Sequence, residues 1–324
     1  MALNLKKTPS PATTMEDNTD TYTGTPITRG RNSARPSTQT PDSASTLVTP
    51  VSAQDLLSGP SPREFILLSG KDGVGKSCAV VSLAWYVQNI LNPDAQFFVI
   101  DTENKFRSAL RGFGDDAPTN ILYYKTDNMN QVTWAVGDIL AKHKPGDWLA
   151  VESMSRVWER AQDLGYMAVS GYSKVEYMEE RAAMSGKKVP VPPSPDQLWT
   201  VTKGAHDGAF LDRLTQSEDL NVLLTTTLSK PPKEQGFMKE NQDRKILRVE
   251  LGIDAGIEGA PRLPYYVETL CMLHLKNGRV SCQILRDNLS VLDTPRITFD
   301  VDDRRSWAVN FWDNCRTEQT EAAE

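Results

Sequence analysis

From residue 63 to about residue 315, short apolar runs alternate with stretches whose apolar residues recur at helical spacing. That alternation is the signature of parallel strands joined by crossover helices, an α/β fold. The runs that read as strands are Phe65–Ser69, Phe97–Asp101, Ile121–Tyr124, Trp148–Glu152, Asn221–Thr227 and Leu270–Leu275. One predicted helix follows the first strand and turns Val80, Val81, Leu83, Ala84, Val87 and Leu91 toward the sheet until Pro93 stops it. A second opens at Ser194-Pro195-Asp196-Gln197, with Ser194 as N-cap, Pro195 at N1 and Gln197 at N3, and is expected to bury Leu198, Val201, Phe210, Leu211 and Leu214. Just before it, Pro190, Pro192, Pro193 and Pro195 mark an exposed excursion. No internal repeat is present.

The two ends differ from this pattern. Residues 1–62 are rich in Ser, Thr and Pro and hold one aromatic residue, Tyr22, which leaves too little apolar surface to offset chain entropy. They read as a disordered leader, either solubilising or partner-docking. Residues 316–324 read as a frayed acidic tail, so one domain is expected over residues 63–315. The formal net charge of -6 gives the chain no overall basic field, so any nucleic-acid contact has to come from a local patch. Cys78, Cys271, Cys282 and Cys315 show no C-x-x-C spacing, which favours free thiols in a reducing compartment. His143, His206 and His274 are scattered without metal-ligand spacing. No run approaches the roughly 20 apolar residues of a membrane helix, so no membrane role and a cytoplasmic location are expected.

The strongest chemical signal is Gly70-Lys71-Asp72-Gly73-Val74-Gly75-Lys76-Ser77, a G-x-x-x-x-G-K-[ST] phosphate loop between an apolar strand and an apolar helix. Its glycines let backbone N–H groups approach phosphate oxygens at the positive end of the helix. Lys76 supplies a cation for the β- and γ-phosphates and Ser77 a hydroxyl for Mg²⁺, so ATP and Mg²⁺ are the expected ligands. Such a loop needs carboxylates nearby, and two strand ends offer them. Trp148–Glu152 ends in Glu152, the expected metal-side acid; Ile100-Asp101-Thr102-Glu103 offers Glu103 at the mouth of the sheet, where it can orient water. Thr227, at the end of another strand, is placed to sense the γ-phosphate; β-branched Thr is equally a good strand residue.

With these residues in hand the chain resembles the RecA-like ATPases, in particular phage and archaeal single-domain members linked to single-strand annealing and recombination. The resemblance covers about Phe65 to Leu292. It rests on the phosphate loop, on Ile-Asp-Thr-Glu with Glu103 matching the catalytic glutamate, on Val151-Glu152-Ser153 where the family has Val-Asp-Ser, and on Leu223 to Lys230 as the sensor strand. Gly259 to Tyr266 and Gln283 to Asn288 match late segments of that group. The resemblance implies a three-layer P-loop NTPase fold with a mostly parallel RecA-like sheet, an ATPase acting in recombination, annealing or repair for a phage or mobile element, and residence in the host cytoplasm if the source is viral. It also implies a homo-oligomer in which Arg262 or Arg286 reaches a neighbour's γ-phosphate, and a single-stranded DNA contact through the basic, proline-containing loop 230–245 around Phe237. Two residues depart from the family pattern. Glu152 replaces Asp, and Asn288 stands where the run that acts on the neighbour's nucleotide ends in Arg. Lys71-Asp72-Gly73-Val74-Gly75-Lys76-Ser77 also resembles the loop of ParA/MinD-like ATPases, but Asp72 breaks its second glycine and no Asp follows Ser77 closely. A third reading is a nucleotide-regulated interaction protein that does not hydrolyse ATP.

Overall fold

In the computed structural model of this chain the described residues are 63–183, 194–229, 256–257, 263–289 and 297–316. The leader, loop 230–245 and Arg262 lie outside them. The strands are β1 (Phe65–Gly70), β2 (Phe97–Asp101), β3 (Ile121–Lys125), β4 (Trp148–Glu152), β5 (Asn221–Ser229), β6 (Gly256–Ile257), β7 (Thr269–Lys276), β8 (Arg279–Asp287) and β9 (Thr298–Val301). They form one sheet in the order β3-β2-β4-β5-β1-β7-β8-β9, with β6 paired to β5. From β3 to β7 all neighbours along that order are parallel, and β8 and β9 follow as antiparallel strands.

Every apolar run expected to be a strand is one. β8 and β9 were not expected, because β8 buries the polar Ser281 and Gln283 among its apolar residues and so lacks a clean hydrophobic signal. β1, β2 and β4 are buried along their whole length, as strands covered on both faces must be. The period-two alternation of a strand then splits each between two cores. Ile66 and Leu68 join Val80, Leu83, Trp307 and Phe311 on one face, while Phe65 and Leu67 join Val136, Met154, Val157 and Phe210 on the other. The first layer contains α1 (Lys76–Tyr86), α2 (Phe106–Arg111) and, further along the chain, Ser306–Cys315. The second contains α3 (Met129–Lys142), α4 (Met154–Ser170) and α5 (Lys174–Ala183), then α6 (Pro195–Lys203) and α7 (Asp212–Thr215). The helix Ser306–Cys315 is α8.

Two helical expectations need correction. α1 gives way to a wider π-type turn at Val87–Leu91, and Leu91 ends 40% exposed. α6 starts at Pro195 with Ser194 as N-cap, but Ser194 makes no side-chain capping bond and Leu198 and Val201 are only half-buried. A π-type turn at Gly204–Leu211 intervenes before α7, and a π turn changes the angular phase of everything after it. Phe210, Leu211 and Leu214 are therefore buried as expected, whereas the preceding turns bury Thr202 and His206.

The expected frayed tail also begins one residue too early. Arg316 is buried: its Nε and Nη2 donate to Glu64 (2.6 and 2.9 Å) and Nη1 to Asp287 (2.6 Å). This clasp joins the residue before β1, the end of β8 and the end of α8. The bidentate fork explains why arginine can be held there despite the desolvation cost.

Candidate functional site

Because β2, β4, β5 and β1 are neighbouring and parallel, their C-terminal ends arrive together at one edge of the sheet. Asp101 stands opposite Glu152, and Gly70 opposite Thr227. The chain leaves β1 through Gly70, where a Cβ would fall 2.7 Å from Val74 Cγ1 and 2.8 Å from the Leu273 carbonyl oxygen, so only glycine lets the loop fold back on the strand. Gly73 and Gly75 then take left-handed backbone angles (φ 76° and 106°), and α1 begins at Lys76. The result is a glycine-shaped loop ending at a helix N-terminus, whose first N–H groups have no partner within the helix.

Lys76 is buried at the base of a cleft of about 380 Å³, a volume ordinary for a small-molecule site. Its Nζ donates to the carbonyl oxygens of Gly70 (2.8 Å) and Lys71 (3.0 Å). Burial lowers its pKa, and Asp72, Glu103 and Glu152 pull the other way without cancelling that effect. Asp72, Ser77 and Cys78 line the same cleft with Glu103 and Glu152.

Glu152, at the end of β4, is 3% exposed and accepts a short hydrogen bond from Ser77 Oγ at Oε1. Its Oε2 is buried with no partner among the described residues. Burial pushes its pKa up to about 7; Asp101 and Glu103 add to this, while Ser77 and Lys76 oppose it. An orphaned, desolvated carboxyl oxygen beside a hydroxyl is a hard-oxygen donor pair of the kind Mg²⁺ takes. The residues present fit that ion, with Glu152 and Ser77 as the groups that would hold it.

Glu103 is held at the cleft by both oxygens. Oε1 accepts from Ser153 Oγ (2.8 Å), and Oε2 pairs with Lys105 Nζ (2.6 Å). Burial raises its pKa, but the Lys105 and Ser153 hydrogen bonds outweigh that and hold it below the ordinary carboxylate value. Asp101, the other acid of this strand end, is fully buried and builds the turn instead. Its Oδ1 accepts from the N–H groups of Glu103 (2.9 Å) and Asn104 (2.7 Å), and its Oδ2 from Phe106 N (3.1 Å) and Tyr123 Oη (3.0 Å). The two acids of Asp-Thr-Glu thus divide the work, one shaping the turn and the other facing the cleft.

Of the remaining residues singled out in the sequence, Lys71 and Asp72 are exposed on the loop and Val74 is buried beneath it. The Thr227 N–H donates to Ser155 Oγ (3.0 Å), which ties the end of β5 to the start of α4 next to the phosphate loop. Arg286 is elsewhere. It pairs with Leu270 near the start of β7, whereas Gly70 pairs with Leu273, three residues further along that strand, so Arg286 stands toward the edge of the sheet away from its own phosphate loop. There its Nη2 donates to the carbonyl oxygens of Pro264 and Val267. The sequence did not single out Lys105, Ser108, Gly112 or Arg304 as cleft residues. Lys105 had a signal in its position two residues after Glu103; Arg304, from a turn two hundred residues along the chain, had none.

The strand carrying the phosphate loop lies mid-sheet, with β5 inserted between it and β4 and with β7 continuing on the other side. The fold is α/β, a mostly parallel sheet with helices on both faces. No protein-family model matches the sequence, and no curated protein matches it. Among solved structures, flagellar accessory protein FlaH from Methanocaldococcus jannaschii is similar at 13% identity, covering 77% of this chain and 91% of its own, with a TM-score of 0.37. KaiC-like protein PH0186 from Pyrococcus horikoshii OT3 is similar at 12% identity, covering 78% and 93%, with a TM-score of 0.39. Among the described residues, no helix is long and apolar enough to cross a membrane.

Proposed function

We propose that this protein binds Mg-ATP in the cleft above β1 and hydrolyses it. The observation that carries the reading is the convergence of four groups on one cleft: the Gly73/Gly75 loop, Lys76, the Ser77–Glu152 pair with its unpartnered carboxyl oxygen, and an ionised Glu103. Lys76, moving off two backbone carbonyls, contacts the β- and γ-phosphates. Ser77 and Glu152 hold Mg²⁺, which when bound neutralises charge on the phosphate oxygens. Glu103 orients the attacking water and accepts its proton as the bond from the water oxygen to the γ-phosphorus forms and the bond from that phosphorus to the β,γ-bridging oxygen breaks, releasing ADP and phosphate; its pKa, held below the ordinary carboxylate value, leaves it in the basic form at neutral pH. Thr227, beside the loop, contacts the γ-phosphate.

The finer reading is an ATPase acting in single-stranded DNA recombination, annealing or repair for a phage or mobile element, contacting the strand through loop 230–245. Lys230, Lys233, Lys239, Arg244 and Lys245 around Phe237 support it, since basic residues with an exposed aromatic are what phosphate contact and base stacking require. A homo-oligomer is the assembly this implies, with Arg262 or Arg286 as the cation offered to a neighbouring site. ATP turnover measured with and without single-stranded DNA tests both levels. Stimulation by DNA supports the finer reading; turnover indifferent to DNA removes it and leaves the ATPase. ATP binding with no turnover under either condition assigns the protein to nucleotide-regulated interaction instead.

A further inference from the structure

The cleft has a second group of lining residues with no part in the phosphate chemistry above. Cys78, Ser108, Ala109, Gly112 and Arg304 form it. Arg304 belongs to the turn between β9 and α8, and that turn is fixed from several sides. Asp303 Oδ1 accepts the N–H groups of Arg305 (2.6 Å) and Ser306 (2.9 Å). From α1, Ser82 Oγ donates to the Arg305 carbonyl oxygen (2.6 Å) and accepts from Ala308 N (3.0 Å). The Arg305 side chain is committed to an ion pair with Asp116 and lies 5.2 Å over the Trp85 ring.

Arg304 is different. It is exposed, and among the described residues it has neither a hydrogen bond nor an ion pair. Its guanidinium rests against Gly112, where a Cβ would fall 2.4 Å from Nη1. Gly112 has φ -64° and ψ -18°, angles that alanine adopts freely, so glycine contributes room for the guanidinium here and not an unusual backbone. Arg304 and Glu152 both bear on the Cys78 thiol of α1, so the guanidinium and the Glu152 carboxyl lie on the same cleft. An anchored, unpartnered, planar cation therefore lines the cleft against Gly112, at the end of α2. ATP, held at Lys76 by its β- and γ-phosphates, has its base left to place.

We propose that Arg304 binds the nucleoside half of ATP, its guanidinium stacking on the face of the base in the space that Gly112 leaves open. This rests on the ATP-binding reading above and adds a residue that determines base affinity. A guanidinium on an aromatic face changes affinity by roughly 2- to 30-fold.

The test compares ATP with inorganic tripolyphosphate, which has the phosphates and no base, by calorimetric titration of the full chain with Mg²⁺. Arg304→Ala removes the cation, and Gly112→Ala pushes it away without deleting it. The expected result is a loss of about 2- to 30-fold in ATP affinity for both variants, with tripolyphosphate affinity unchanged. Unchanged ATP affinity in Arg304→Ala overturns the assignment while the ATP site stands. Equal losses for ATP and tripolyphosphate overturn it too, because Arg304 is then a phosphate contact. If the unsubstituted protein binds neither ligand, the nucleotide reading itself falls and this inference with it.

Discussion

Replacing Glu152 by Gln probes the most unusual group in the cleft. The carboxyl is 3% exposed, one oxygen has no partner among the described residues, and its pKa stands at about 7 against an ordinary 4.5. Between those values the folded protein holds a proton that the unfolded chain has released. Stability therefore falls as pH rises through that window, because folding has to bury a charge. The full gap corresponds to about 3 kcal/mol above pH 7. Glutamine keeps the shape and an acceptor for Ser77 but cannot ionise. In metal-free buffer with EDTA, Glu152→Gln should match the parent near pH 4.5 and exceed it by about 3 kcal/mol at pH 8, read from urea unfolding at each pH. Adding Mg²⁺ at pH 8 should restore stability to the parent and do nothing for the variant, since a cation compensates only an ionised carboxyl. A stability difference that stays constant from pH 5 to pH 8 would refute the reasoning.

Lys76→Ala should abolish ATP binding while leaving the unfolding midpoint close to that of the parent, because α1 is held by Val80, Val81 and Leu83 behind the loop; ATP affinity near the parent's would remove the phosphate-loop assignment. Glu103→Gln should lower turnover by about 10²- to 10⁴-fold and change ATP affinity far less, since an acid that orients water acts in the transition state; equal turnover would show that another group does this. Arg316→Ala should cost about 3–5 kcal/mol by leaving the Glu64 and Asp287 carboxylates without their shared cation. Adding Glu64→Gln and Asp287→Asn to it should recover part of that loss, and a cost below about 1 kcal/mol for Arg316→Ala alone would show the clasp to be incidental.

What the sequence made legible were the features with local causes. The phosphate loop is contiguous, and the apolar runs of β1, β2, β4 and β5 are unbroken because helices cover both faces of those strands. Glu103 and Glu152 could be named because strand ends in a parallel sheet gather at one edge. Other features depend on residues brought together only by folding. β8 hides behind buried Ser281 and Gln283, and the change of burial phase between α6 and α7 comes from a π-type turn that no residue type announces. Arg286 is spent on two backbone carbonyls whose position depends on how the chain enters β7. Asp101 and Glu103 look equivalent on paper, and only the turn they share separates an acid that accepts four hydrogen bonds from one that faces the cleft.

The clasp at Arg316 has a consequence for how this protein comes into being on the ribosome. Glu64 precedes the phosphate-loop strand, and its cation is made 252 residues later. At roughly 5–20 residues per second, that interval lasts about 10 to 50 s. For most of it one flank of β1 lacks β7, which ends at Lys276, and until α8 is made the face shared with α1 lacks Trp307 and Phe311. The nascent chain thus displays a completed ATP-loop sequence on a strand whose neighbour and covering helix do not yet exist. Early release by a stop codon before α8 would leave a fragment with an open apolar face, and one before β7 would also leave an edge of β1 unpaired, a substrate for chaperones or proteases.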